Sequence, residues 1–171
     1  MKHCTLHNLI SKSQNGFVNH RGCLTNLIET HDILTEAAYR GHIVDIIFTD
    51  FAKAFDTVPH KRLLHKIQAY GIRGQLFHWI SAWLSERKQR VVIGEQTSEW
   101  KRVASGVPQG SVFRPLLFVL FVNDYPDGII NYTKLYAYDS KIIEIINNNQ
   151  SSSDYKSLQT DIDNTVYWSH K

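Results

Sequence analysis

The chain has 171 residues, of which 43% are hydrophobic and 20% charged; that is enough for one domain with a buried core and excludes a disordered or low-complexity chain. Its net charge of +3 is uneven, with +6 between Lys61 and Arg102 and −3 over the rest, so a basic middle suited to phosphates stands beside a more acidic remainder. Two cysteines, Cys4 and Cys23, exclude a disulfide framework. Cys4 and His7 have ligand-like spacing but lack the second pair of a zinc site, and no signal peptide or bilayer-long apolar run is present. These features together predict a soluble intracellular protein, in cytoplasm or nucleus, with no membrane partner.

Along the chain, Leu24, Leu27, Ile28, Ile33 and Leu34 recur at helical spacing, which predicts a helix over 23–39 stopped by Gly41. The β-branched run 43–49 reads as a buried strand. A second helix follows, capped by Thr57, with Pro59 in its first turn, Leu63, Leu64, Ile67 and Tyr70 on one face, and Gly71 as its stop. Residues 75–85, carrying Trp79, Ile80 and Trp83, predict a third helix. Segments 90–93 and 99–103 around a Gly-containing turn predict a hairpin. Residues 111–122 form an apolar helix. Segments 134–138 and 141–146 predict a second hairpin with Asp139 and Ser140 at its tip. The polar stretch 147–153 reads as a loop before a last helix, 154–168. Helices mixed with antiparallel hairpins imply an α+β fold.

Three places carry chemistry. Asp50 ends an apolar strand, where a rigid backbone can aim a carboxylate into a cleft. Asp139 follows 89 residues later, and two such carboxylates brought together by a sheet suit Mg²⁺, which takes few protein oxygens plus substrate phosphates. Between them lies Ser105-Gly106-Val107-Pro108-Gln109-Gly110-Ser111. Its glycines allow close backbone approach to a ligand, and Gln109 offers both a donor and an acceptor. Each feature also fits an ordinary turn or cap, so the residues alone leave the assignment open.

The strings TDFAKAFDTVPHKRLLHKIQAYGI (49–72), Trp83 to Gly94, and SGVPQGSV (105–112) resemble, in order and spacing, the palm of non-LTR (LINE-type) retrotransposon reverse transcriptases. The resemblance runs from about Ser13, in SQNGF, to the end of the chain. It implies a polymerase palm-like antiparallel sheet with packed helices, incomplete fingers over about 1–42, a palm over 43–171 with an intervening fingers-side insert, and no thumb or endonuclease. It further implies RNA-directed DNA synthesis with two Mg²⁺ ions, an RNA template, a DNA primer and dNTP. By position, Asp50 matches the first metal-binding Asp, and Asp139 the second Asp of the aromatic-Ala-Asp-Asp hairpin. Phe55 matches the residue that packs under the sugar and excludes a 2′-hydroxyl, and Gln109 a residue near the incoming nucleotide. Arg21, in a poorly matching fingers-like stretch, is the candidate for the triphosphate, and Asp56 reads as structural.

The chain departs from that pattern in Tyr136-Ala137-Tyr138-Asp139, where Tyr138 replaces the Asp that bridges both metals in the family. A phenol is a poor substitute for a carboxylate on Mg²⁺, and two-ion phosphoryl transfer depends on positioning and charge. Arg114 replaces a family Gly after SGVPQGSV. The resulting expectation is a truncated, catalytically impaired reverse transcriptase core. The alternatives are a non-enzymatic nucleic-acid-binding remnant of the palm and, third, a small metal-dependent nuclease, for which no further ligand beside Asp50 is visible.

Overall fold

A computed structural model describes residues 4, 7–147 and 154–170; most of the predicted loop 147–153 lies outside the described residues. In chain order the elements are α1 (Cys23–Tyr39), β1 (Ile43–Asp50), α2 (His60–Ala69), α3 (Gly74–Leu84), β2 (Lys88–Gln89), β3 (Val92–Ile93), β4 (Gln96–Thr97) and β5 (Lys101–Arg102). They continue with α4 (Phe113–Val122), a 3₁₀ turn (Tyr125–Gly128), β6 (Tyr132–Tyr136), β7 (Asp139–Ile146) and α5 (Asp154–His170). The fold is mixed α+β, as the sequence predicts. No helix among the described residues is long and apolar enough to cross a membrane. The chain divides into two compact units, one built from residues 1–51 and 122–171 and the other from 52–121.

The first unit is organised by an antiparallel sheet in the order β1-β7-β6. β1 pairs with β7 along its full length, from Ile43↔Ile146 to Asp50↔Asp139. Alternation along β7 sends Ser140, Ile142, Glu144 and Ile146 to one face, all of them buried. On that face Ser157 of α5 bonds Glu144, and Tyr125 bonds Thr165 of α5 at 3.1 Å. Asp161, fully buried, accepts the N–H groups of Ile130 (2.7 Å) and Asn131 (3.0 Å), so its charge is satisfied by backbone donors.

α1 covers the opposite face, but not through the apolar stripe its spacing suggests. Leu24, Leu27 and Ile28 are exposed, while Asn26, Thr30 and Ala37 are buried. The reason is what lies beneath. The sheet presents Lys134 and Lys141 side by side there, and α1 answers with Glu29 to Lys134 at 2.8 Å and Thr30 to Lys141 at 2.9 Å. Asn26 donates to the Leu135 carbonyl at 3.2 Å. The helix stops as predicted, with Gly41 at φ +70 and His42 N–H returning to the Ala37 carbonyl.

In the second unit, α2 buries Leu63 and Ile67, and α3 buries Ile80 and Leu84. Thr57 does not cap α2. The helix begins after Pro59, and the Thr57 hydroxyl instead bonds the Lys53 carbonyl at 3.3 Å, bracing the preceding turn. The basic hairpin also differs from expectation. β2 pairs with β5 and β3 with β4, and the register shifts by one residue between Lys88↔Arg102 and Val92↔Thr97. That shift is a bulge on the returning strand at Ser98, whose hydroxyl accepts the Val91 N–H at 2.9 Å.

Candidate active site

β1 delivers Asp50 to the end of the sheet and β7 delivers Asp139 directly opposite, as Cα partners. Opposed residues of an antiparallel pair share a face, and both line a cleft of about 410 Å³ with Phe48, Tyr136, Lys141 and the α1 residues Cys23, Asn26 and Leu27. Like charges directly opposed across strands destabilise a sheet. No cation among the described residues pairs with either carboxylate. An arrangement of this kind suits an external cation. Lys141 shares the cleft, but its ammonium donates to Thr30, and burial lowers its pKa.

The hairpin tip is not where the sequence puts it. Asp139 is the first residue of β7, paired with Tyr136, and the turn consists of Ala137 and Tyr138. Ala137 holds φ +59 while Tyr138 is not among the residues of positive φ, so the two-residue turn rests on one left-handed residue that carries a Cβ. A residue with a Cβ pays about 1–2 kcal/mol for that conformation, so its surroundings must hold it. Tyr138, exposed at the tip, accepts the Phe51 N–H through its carbonyl at 3.3 Å, which carries the β1 pairing one step beyond Asp50. Phe51 is itself packed edge-on against Tyr125 and tilted against Trp168. The strand end carrying Asp50 is therefore anchored by aromatic contacts on its next residue.

Mg²⁺ fits these residues in part. Asp50 and Asp139 give two hard oxygen donors, yet the described residues contain no group of three or more His, Cys, Asp or Glu that could hold a metal.

Arg21 lies in the same unit but lines a different pocket, with Cys4, Asn8, Ile10 and Val18. Its guanidinium donates to the carbonyls of Ser11 (3.1 Å), Lys12 (3.1 Å) and Gln14 (2.9 Å). Phe55 and Gln109 belong to the second unit, where the strings AFDTVPH and SGVPQG zip together. Val107 N–H donates to the Phe55 carbonyl and Gly106 N–H to that of Val58, each at 2.8 Å. Ser105 Oγ donates to the Asp56 carbonyl at 2.9 Å. Gly106 has φ +86, and a Cβ there would meet Asp56 O at 2.8 Å. Gln109 follows this docked segment and is exposed. Phe55 is half-buried, its ring 4.9 Å from Phe118 and covered by the Arg114 guanidinium at 4.5 Å. Arg114 also meets Asp56 at 3.4 Å, so Asp56 is structural in both its carbonyl and its carboxylate.

One contributor escaped the sequence reading: Gln14, fully buried, which bonds the Ala137 turn. Its signal was present in SQNGF, but a polar residue gives no periodicity by which burial could be foreseen.

The family described as reverse transcriptase (RNA-dependent DNA polymerase) matches residues 1–165. The RNA-directed DNA polymerase from mobile element jockey of Drosophila melanogaster is 34% identical over 117 residues, which is 68% of this chain and 13% of that protein. The probable RNA-directed DNA polymerase from transposon X-element of Drosophila melanogaster is 38% identical over 80 residues, 47% of this chain and 9% of the relative. A retrovirus-related Pol polyprotein from type-1 retrotransposable element R2 of Popillia japonica is 27% identical over 103 residues, 60% of this chain and 17% of the relative. The chain thus spans under a fifth of the length of these relatives.

Proposed function

The chain belongs to the reverse transcriptase family, and from that premise we propose that it is the core of a non-LTR retrotransposon RNA-directed DNA polymerase whose catalytic centre is weakened by Tyr138. The observation that carries this reading is the in-register Asp50–Asp139 pair, to which no cation among the described residues forms an ion pair, closed by a turn that presents a phenol. In this reading Asp50 and Asp139 hold Mg²⁺, aimed by two strands that share their full hydrogen-bonded length. Bound ions would neutralise phosphate oxygens and favour attack by the primer hydroxyl. Phe55 packs under the sugar of an incoming dNTP, Gln109 lies near the nucleotide, and Arg21 is the candidate for its triphosphate. Arg114 over the Phe55 ring adds a second hindrance. About 1–42 then correspond to partial fingers and 43–171 to palm with an intervening fingers-side insert.

An RNA template and DNA primer need cationic surface, and the hairpin of the second unit offers it. Lys88 and Arg102 are opposed across β2 and β5, a like-charge pair that favours a polyanion. On the same face Arg90 stacks on Trp100 at 4.7 Å; stacking leaves the N–H fork of an arginine open to phosphate. This observation also favours the second reading, a nucleic-acid-binding remnant without turnover.

Divalent-ion affinity tests the first reading without requiring polymerisation. Tyr138→Asp adds a carboxylate and raises Mn²⁺ affinity by about tenfold, because affinity follows ligand charge. Asp50→Asn abolishes that gain. Equal binding by the wild type and Tyr138→Asp in a calorimetric titration would remove the site.

A further inference from the structure

The segment before α1 adds itself to the outer edge of β6. Asn15 N–H donates to the Leu135 carbonyl at 2.9 Å, and Leu135 N–H returns to the Ser13 carbonyl at 2.8 Å. This places Gln14, which has no solvent exposure, beside the hairpin turn. Its Oε1 accepts from Ala137 N–H at 2.9 Å and from Gly16 N–H at 2.7 Å, and its Nε2 donates to the Ala137 carbonyl at 3.4 Å. One side-chain amide therefore holds both sides of the residue in the left-handed conformation. Gly16 completes the fit, since a Cβ there would come within 2.2 Å of Ala137 N.

We propose that Gln14 is a positioning residue: it fixes the Ala137–Tyr138 turn and thereby the facing of Asp139 against Asp50. The inference rests on reading that pair as the ion-binding carboxylates. A two-residue hairpin sets register by turn type, and a slip of one residue turns every following side chain to the other face. Released from Gln14, Ala137 relaxes toward negative φ, the turn changes type, and residues 138 and 139 no longer face β1 as a set. A side chain that both accepts and donates is needed because the peptide groups of Ala137 present one donor and one acceptor. Glutamate meets that need in its protonated form, the form that a fully buried position favours.

The test uses the full chain with Tyr138→Asp, where the proposed site binds Mn²⁺ measurably. Gln14→Ala is expected to lower Mn²⁺ affinity about tenfold, the low end for loss of a supporting hydrogen bond around a metal site. It should also speed amide exchange at Ala137. Gln14→Glu should restore slow exchange and most of the affinity. Asn123→Ala is the control for mere loosening, because Asn123 anchors the same segment through Ser11 N–H and the Leu9 carbonyl, each at 2.7 Å, away from the turn. It should lower Tm and leave Mn²⁺ affinity within about twofold, as expected for a residue outside the metal's supporting shell. The proposal is overturned if Asn123→Ala weakens Mn²⁺ as much as Gln14→Ala, or if Gln14→Ala leaves Ala137 exchange unchanged. Should Gln14→Ala not fold, fast Ala137 exchange in a folded Gln14→Glu chain overturns it equally. If Tyr138→Asp gains no affinity, the site reading fails, while exchange at Ala137 still decides whether Gln14 holds the turn.

Discussion

Glu29 on α1 reaches Lys134 on β6 at 2.8 Å, and the hydrogen bond from that ammonium is the main cause of a carboxylate pKa below its usual value. A carboxylate depressed in the fold stabilises it above its unfolded pKa of about 4.3 and loses that contribution as pH falls through the lower folded value. Glu29→Gln is accordingly expected to be less stable than wild type at pH 6, and the two should converge in acid. The pair is partly solvated, so the gap at pH 6 should stay below about 1 kcal/mol. Urea unfolding of both chains between pH 2.5 and 6 checks this; a gap independent of pH would assign the loss to packing instead. At the same scale, Asp50, Asp139, Phe55 and Gln109 were named from motifs, and their positions follow simple rules of strand ends and docked loops. Arg114 was legible as a departure, but not its partner. Only the fold shows that it covers Phe55 and reaches Asp56.

Among the elements, those whose signals are local were readable and those decided by partners were not. Gly41 and Gly71 end helices because both take positive φ, a cost only glycine avoids. β1 and α1 were bounded closely by β-branched content and by that glycine. The apolar stripe of α1 misled because the sheet beneath carries lysines, and tertiary partners outweigh periodicity. The hairpin tip was misplaced by two residues because Ala137, an ordinary residue in sequence, occupies a glycine-like conformation that the buried Gln14 supports. The SGVPQG loop makes a test at this scale. Gly106→Ala meets both a positive φ and the Asp56 carbonyl, so it should cost more than the about 1–2 kcal/mol of a strained residue alone. Gly110→Ala, with φ +77 and no atom near its missing Cβ, should cost only that conformational amount. Equal denaturation midpoints for the two variants would mean that the loop is not docked on the 55–58 turn.

For the whole molecule, the balance of covered and uncovered apolar surface determines behaviour in solution. Leu24, Leu27 and Ile28 are 70%, 55% and 51% exposed, and their spacing of three and four residues makes them one contiguous stripe on α1. In the second unit Trp79, 48% exposed, stacks on Trp83 and leans on Phe113, so an aromatic cluster also meets solvent. Contiguous exposed patches beyond a few hundred Å² are unusual on soluble monomers. The chain expressed by itself is therefore expected to self-associate, seen as a sedimentation coefficient that rises with concentration. If the α1 stripe is responsible, Leu24→Gln with Ile28→Gln should reduce that dependence. It should change stability by no more than about 0.5 kcal/mol, as exposed substitutions do. The pair leaves Asn26 and Thr30, the buried contacts of α1, in place. A monodisperse wild-type monomer across the concentration range would refute the expectation. Association unchanged by the double substitution would move it from α1 to the Trp79 cluster, where Trp79→Gln is the matching variant.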